Sequence, residues 1–341
     1  MGNQSDHSLK AFRFGSDGLF CDAIGEPCLL VGTVEFQNFC HALDVSFEAP
    51  LGRRLIYAAT DSEEHAISGQ NAFRFGRWFG RRRSERALKE RAKSMGWGWI
   101  ERDQILGPAH DGLCVGFSLA HAEHLSQSRY ELEWDQRSPE LIKTTFKPKQ
   151  GDMVAAPSSA RLNWSDTSVQ SPSVGVVKLD LDVRDATFFC GEARSFFAPA
   201  EMMHHLISGL CGRPVHSTPS LEIAHIGTEL EQPDVFRAVV NAAMAAYKQT
   251  EYPIFLQTKD DWFGHLLARF TRRGFGTVEV EKSIVDGDKF TRFLVRSPSP
   301  AMVAGTLLGM WQRAHGKRLA ATFHITSSGL VVEAAEPTVE Y

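Results

Sequence analysis

Apolar residues recur in two similar windows. Leu88–Glu101 (LKERAKSMGWGWIE) and Leu266–Glu279 (LLARFTRRGFGTVE) each show helically spaced apolar positions that end at a glycine. An aromatic, a second glycine and an alternating run follow. From Gly96 to Gly274 the offset is 178 residues, and it also aligns Leu88 with Leu266, Arg91 with Arg269 and Trp97 with Phe275. Gly98 aligns with Gly276, Ile100 with Val278 and Glu101 with Glu279. The pattern predicts an amphipathic helix stopped by a glycine at φ > 0, an aromatic that packs back, and then a strand.

A second pair of windows follows. Pro199–Val215 and Pro300–Leu319 read as Pro-initiated helices ending at Gly212-Arg213 and Gly316-Lys317. Ser220–Ile226 reads as a strand after the first. Ala320–Ile325 and Leu330–Ala334 read as two strands joined by a Ser-Ser-Gly turn after the second. The order is helix, glycine turn, two strands, helix, strand in each half. The fold class is therefore α+β: two diverged copies of a helix–strand–helix unit, packed as a pseudo-dimer. The boundaries read as an N-terminal segment over 1–29, a first copy over 30–228 and a second over 233–336. The first copy carries a long insertion, about 126–194. Within it, Asp152–Ser173 reads as a mobile surface loop and Gly175–Val183 as a half-buried strand. Upstream, Val34–Leu43, Leu51–Thr60 and Arg77–Lys93 have helical spacing.

Composition narrows the class of protein. A chain of 341 residues, 43% hydrophobic and 23% charged, has the length of roughly two globular domains. The net charge of −4 lacks the positive field of a dedicated nucleic-acid binder. No run is long and apolar enough for a transmembrane helix, and Met1–Asp6 opens no secretory signal. Six cysteines without a C-x-x-C pair read as reduced thiols, so a soluble cytoplasmic protein is expected. The 23 Phe against 5 Tyr fit a dry core or an apolar cavity.

Candidate chemistry is sparse. Glu201, His204, His205 and Cys211 share one predicted helix. Glu-x-x-His places carboxylate and imidazole on one face, as a metal site or a pocket wall would, and as ordinary partly exposed histidines also do. A second Glu-x-x-His, Glu222 and His225, falls on a predicted strand, where the two residues face opposite sides. Asp61-Ser62-Glu63-Glu64-His65 reads as an N-cap with acids in the first helical turn. His121-Ala122-Glu123-His124 has acid–base groups but no nucleophile beside them. Phosphate-loop and hydrolase-elbow motifs are absent from the sequence. Arg77, Arg81, Arg82, Arg83 and Arg86 with Trp78 and Phe79 form a basic run that reads as a solvated helix face or as a surface for an anionic partner, with nucleic acid the remotest alternative. Arg81 and Glu85 read as an i,i+4 pair within it.

The order of these segments resembles the bacteriochlorophyll 4-vinyl reductase-like domain, a small-molecule binding domain. The resemblance rests on VEFQNFCHAL, GRRLIYAATDSEEHA, FRFGRWFGRRRSERALKERAKSMGWG and the helix ending Gly-Arg-Pro-Val. It implies a fold related to haem nitric-oxide-binding domains and to small subunits of the Golgi tethering complex. Many members hold zinc on a cysteine cluster near the final strands. Pro214–Glu231 and Lys317–Pro337 contain no cysteine, so a zinc site of that type is not expected, and no other cofactor is implied. The expected protein is a non-catalytic ligand-binding module for a small apolar molecule, or a protein-interaction subunit, monomeric as a pseudo-dimer. Its rival is a cofactor-dependent enzyme or enzyme accessory acting on a tetrapyrrole or related aromatic substrate. Ligand-lining candidates are His204, His205, Phe270, Met310 and Trp311. Partner-facing candidates are Arg77, Arg81, Arg82 and Arg83.

Overall fold

The computed structural model describes residues 12–73, 80–150, 153–168, 181–216 and 222–337. The fold is mixed α+β, with mostly antiparallel sheets. Three short strands, β1 (Arg13–Phe14), β2 (Phe20–Cys21) and β3 (Pro27–Gly32), lead into α1 (Thr33–Asp44). Then come α2 (Arg54–Ser68), α3 (Gly80–Ser94), β4 (Trp99–Ile100), β5 (Gln104–Leu106) and α4 (Asp111–Ser126). The hairpin β6 (Tyr130–Ser138) and β7 (Leu141–Pro148) closes this half.

The second half begins with β8 (Asp182–Arg184), β9 (Thr187–Cys190) and β10 (Ala193–Pro199), which lead into α5 (Ala200–Leu210). After β11 (Glu222–Ile226) come α6 (Pro233–Lys248), α7 (Asp261–Arg269), β12 (Thr277–Lys282) and β13 (Thr291–Arg296). Helix α8 (Pro300–His315) and the hairpin β14 (Ala320–Thr326) and β15 (Gly329–Ala335) complete it.

One four-stranded sheet has the order β4-β5-β7-β6. A five-stranded sheet has the order β12-β13-β15-β14-β11, the same path with β11 added in parallel on the outer edge. The third sheet is six-stranded, β1-β2-β3-β10-β9-β8. Its central pair, β3 and β10, runs antiparallel with Leu30 opposite Phe197 and Gly32 opposite Ser195. From this pair a hairpin extends on either side.

Local chemistry explains the helix boundaries. Proline stands in the first turn of α6 and α8, where its missing N–H removes no intrahelical bond. The predicted glycine turns are present: Gly96 and Gly274 stand at φ 75 and 81. Trp97 and Phe275 pack back into the core beside them. Neither glycine tolerates a Cβ. One at Gly96 would meet the Phe188 ring at 2.8 Å, and one at Gly274 would meet the Phe20 ring at 3.0 Å.

These contacts cross between the halves. Strand β2 packs on the turn of the second half, with Gly276 donating to the Gly18 carbonyl at 3.0 Å. Strands β9 and β10 pack on the turn of the first half, where Phe197 N–H donates to the Met95 carbonyl at 2.8 Å. The helices follow suit: α1 packs on α6, and α5 packs on α2. Within each half a glycine brings two helices together. A Cβ on Gly116 of α4 would lie 2.7 Å from the Ala59 Cβ of α2, and one on Gly305 of α8 would lie 2.8 Å from the Ala243 Cβ of α6. Most buried apolar side chains of both halves form one large continuous core, and Ile67, Phe73 and Leu88 form a small separate cluster.

Several expectations are corrected. Helix α8 sits between two strand pairs of its sheet, and the helix in the same place of the first half is α4. The Pro199–Val215 helix, α5, instead follows a strand of the six-stranded sheet. The hairpin β6–β7, read as part of an insertion, completes the four-stranded sheet. The Asp61–His65 run lies in the middle of α2, because that helix starts earlier, at Arg54. The expected mobile loop is anchored at Trp164, which is fully buried and donates its indole N–H to the Glu231 carbonyl at 2.6 Å. Most of the Gly175–Val183 strand lies outside the described residues; its end belongs to β8.

Candidate functional site

Helix α7 buries Trp262, Leu266 and Arg269, positions i, i+4 and i+7 of one face. An arginine thus occupies an apolar-face position. The chain continues through Phe270 into a 3-10 turn, Thr271–Arg273, and reverses at Gly274. That reversal sets Arg269, Arg272 and Arg273 along one cleft of about 320 Å3. Tyr247 reaches it from α6, Met310 from α8, Leu30 from β3 and Cys190 from β9. Tyr252, Pro253 and Ile254 close one side. Arg313 fixes that segment by donating to the carbonyls of Tyr247, Lys248 and Tyr252.

Arg269 is only 9% exposed, and its guanidinium carbon lies 5.4 Å from the Tyr247 ring and 5.8 Å from the Tyr252 ring. Its Nη2 donates to Glu35 of α1, whose other oxygen lies 3.5 Å from Arg273 Nη1. Its Nη1 is buried and has no hydrogen-bond partner. Burial, with the Arg273 and Arg313 charges nearby, pulls its pKa well below the usual guanidinium value. Among the described residues the cleft wall holds three arginines and no carboxylate. Glu35 instead lines an adjoining void of about 20 Å3, with Phe270, Met302 and Thr306. Such a surface binds anions and aromatic faces.

The arginine 178 residues earlier has a different setting. Arg91 Nη1 lies 2.5 Å from Asp22, and its Nε donates to both oxygens of Glu63 at 2.9 and 3.1 Å. His121 Nε2 lies 3.0 Å from Glu63, which is fully buried. Burial alone would raise the Glu63 pKa, but the Arg91 charge and the His121 bond hold it below the ordinary carboxylate value. Arg91 Nη2 is also without a partner, beside a cleft of about 340 Å3. There Glu26 and Glu201 balance Arg91 and Arg161.

A pair of grooves repeats the offset. Arg81, Arg82, Glu85, Leu88 and Lys89 of α3 face Ile100–Asp103 across a groove of about 780 Å3. Lys259, Asp260, Phe263, Leu266 and Leu267 face Val278–Glu281 across one of about 460 Å3. Each of these residues stands 178 places after its counterpart. The first groove is rich in charge of both signs, and the second has apolar residues at several of the same places.

The sequence candidates separate on this frame. Met310 lines the cleft and Phe270 the adjoining void. Trp311 is core: it is fully buried and donates to Thr291 Oγ1 at 3.1 Å. His204 Nε2 faces the carbonyls of Pro298 at 3.0 Å and Ser165 at 3.1 Å, so it joins the loop before α8 to the α5 face. His205 is buried near Glu201, 3.6 Å away. Neither histidine lines the cleft. Arg81, Arg82 and Arg83 are exposed on α3, and Arg77 lies outside the described residues. Glu85 pairs with Lys89 at 3.2 Å rather than with Arg81. Among the described residues no group of three or more His, Cys, Asp or Glu is placed to hold a metal ion.

Sequence reasoning missed Tyr247, Tyr252 and the three arginines. A usable signal existed, because Arg269 breaks the apolar face of α7 at the position matched by Arg91. No protein-family model matches the chain, and no curated protein or solved structure matches it either.

Proposed function

We propose that this protein is a small-molecule binding module built from two diverged copies of one α+β unit, packed as a pseudo-dimer. The copies run over about 12–148 and 182–335, which moves the division to the segment between the two halves. The observation that carries this reading is the shared strand order of the two sheets, reached through the same succession of helices and glycine turns. The crossed packing of α1 on α6 and α5 on α2 supports it, because a two-fold arrangement makes each contact twice. The family expectation, a 4-vinyl reductase-like domain, remains part of the proposal.

Binding is assigned to the cleft of the second half. Its size lies at the lower end for small-molecule pockets, and its wall is mainly aromatic and aliphatic with a few polar groups. The reading is of binding without catalysis, in a monomer placed in the cytoplasm. Among the described residues no helix is long and apolar enough to cross a membrane.

Native mass spectrometry of the freshly purified full chain tests this. A retained organic mass is expected, and it should be lost in Ala268→Trp, which fills the cleft from its exposed side. A bare chain that also fails to take up any aromatic probe would reject the pocket and favour the protein-interaction reading. A stable homodimer in light scattering would count against the pseudo-dimer.

A further inference from the structure

We infer that the cleft beside Arg269 takes an organic oxyanion, with its ring system against Tyr247, Tyr252, Ile254 and Met310 and its charged group on the wall formed by Arg269, Arg272 and Arg273. The inference rests on the proposed small-molecule reading of this cleft and adds the charge of the ligand.

Arg269 is nine-tenths buried, yet Nη1 has no acceptor. A buried N–H left without a partner is costly, so an occupied state that supplies an acceptor is favoured. The charge balance points the same way. Arg269, Arg272 and Arg273 line the wall, and the carboxylate that meets two of them, Glu35, lies behind in the adjoining void. An anion entering from the open side would meet a net positive wall and offset the repulsion among the arginines. The guanidinium plane is already held over two aromatic rings, so little ordering remains for a planar acceptor to induce. At about 320 Å3 the cleft admits a compact ring system and not a folded partner. The cleft beside Arg91 lacks this imbalance, because Glu26 and Glu201 face Arg91 and Arg161.

The test is isothermal titration of the full chain with 2-naphthoate, 2-naphthyl phosphate and neutral 2-naphthamide, which share one ring system. At least one anion should bind about tenfold or more tightly than the amide, the size expected of a charge-assisted hydrogen bond. Whether carboxylate or phosphate ester is tighter names the head group, and either order supports the inference. Arg272→Gln, an exposed position that leaves the core intact, should weaken the anions and leave the amide unchanged. Equal affinity for anions and amide overturns the anion inference while leaving the pocket in place. Failure of all three probes to bind overturns the pocket reading and the inference together.

Discussion

Arg91 and Arg269 occupy the same place in two similar helix–turn–strand segments, and their surroundings differ. Arg91 is gripped by Asp22 and Glu63, with His121 bonded to the second carboxylate. Arg269 has Tyr247 and Tyr252 faces around it and Glu35 as its carboxylate partner. Helix pairing makes the contrast sharper. Glu63 lies seven residues beyond Ile56, whose carbonyl Gly116 approaches, and Tyr247 lies seven beyond Val240, whose carbonyl Gly305 approaches. A carboxylate in one half therefore stands where an aromatic stands in the other. The lesson is that a buried cation can be made structural by a second carboxylate, or left available by replacing that carboxylate with a ring.

Removing Glu63 should test the contrast most strongly. Glu63→Gln removes the carboxylate charge that Arg91 and His121 share in a fully buried site, and should destabilise by about 3–5 kcal/mol in urea unfolding. A loss under 1 kcal/mol would mean that the Arg91 cluster is not the brace described here. Next in size come the two close helix contacts. Gly116→Ala and Gly305→Ala each force a methyl into the facing helix, and each should cost about 1–3 kcal/mol by the same assay. Very unequal costs would break the proposed equivalence of the halves.

Acid should act through buried histidines of both halves, because burial lowers the pKa of His205 and His315 as well as that of His110. Burial lowers the His110 pKa to about 4 from 6.5, so the unfolded chain binds the proton more readily. Stability is therefore lost as pH falls from about 6.5 towards 4, and His110→Gln should flatten that limb of a pH–Tm profile. Glu63, whose folded pKa is depressed, adds a loss only below the ordinary carboxylate value of 4.5. An unchanged profile in His110→Gln would remove this histidine from the account. The smallest effect is expected at Glu35, whose side chain is 26% exposed: Glu35→Gln should cost about 1 kcal/mol or less.

Much of the framework was legible from local pattern. Helical spacing marked α1, α2, α3 and α8, and the glycines at 96 and 274 marked turns because only a residue without Cβ fits there. Pairing was not legible. Glu63 looked like an acid near a helix start because its partner Arg91 stands 28 residues away and meets it only after folding. Sheet membership of β6 and β7 was hidden for the same reason, since alternation shows a strand and not its neighbour. Of the expected pocket residues, Met310 lies on the proposed cleft and Phe270 in the void beside it. The convergence of the arginines was not legible because it depends on the turn at Gly274 and on residues distant in sequence, and His204 joins the loop between β13 and α8 to α5.

The crossed placement of β2 has a consequence for synthesis. Phe20 is made about 250 residues before the glycine turn that receives its ring. At about 5–20 residues per second a ribosome needs roughly 13–50 s to bridge that interval. For that time the opening hairpin is a strand edge without its seat, held near a partly built core. A nascent chain with this wiring is exposed to holdase chaperones and to pairing with its neighbours on the same message, and its yield depends on the pace of translation across that interval.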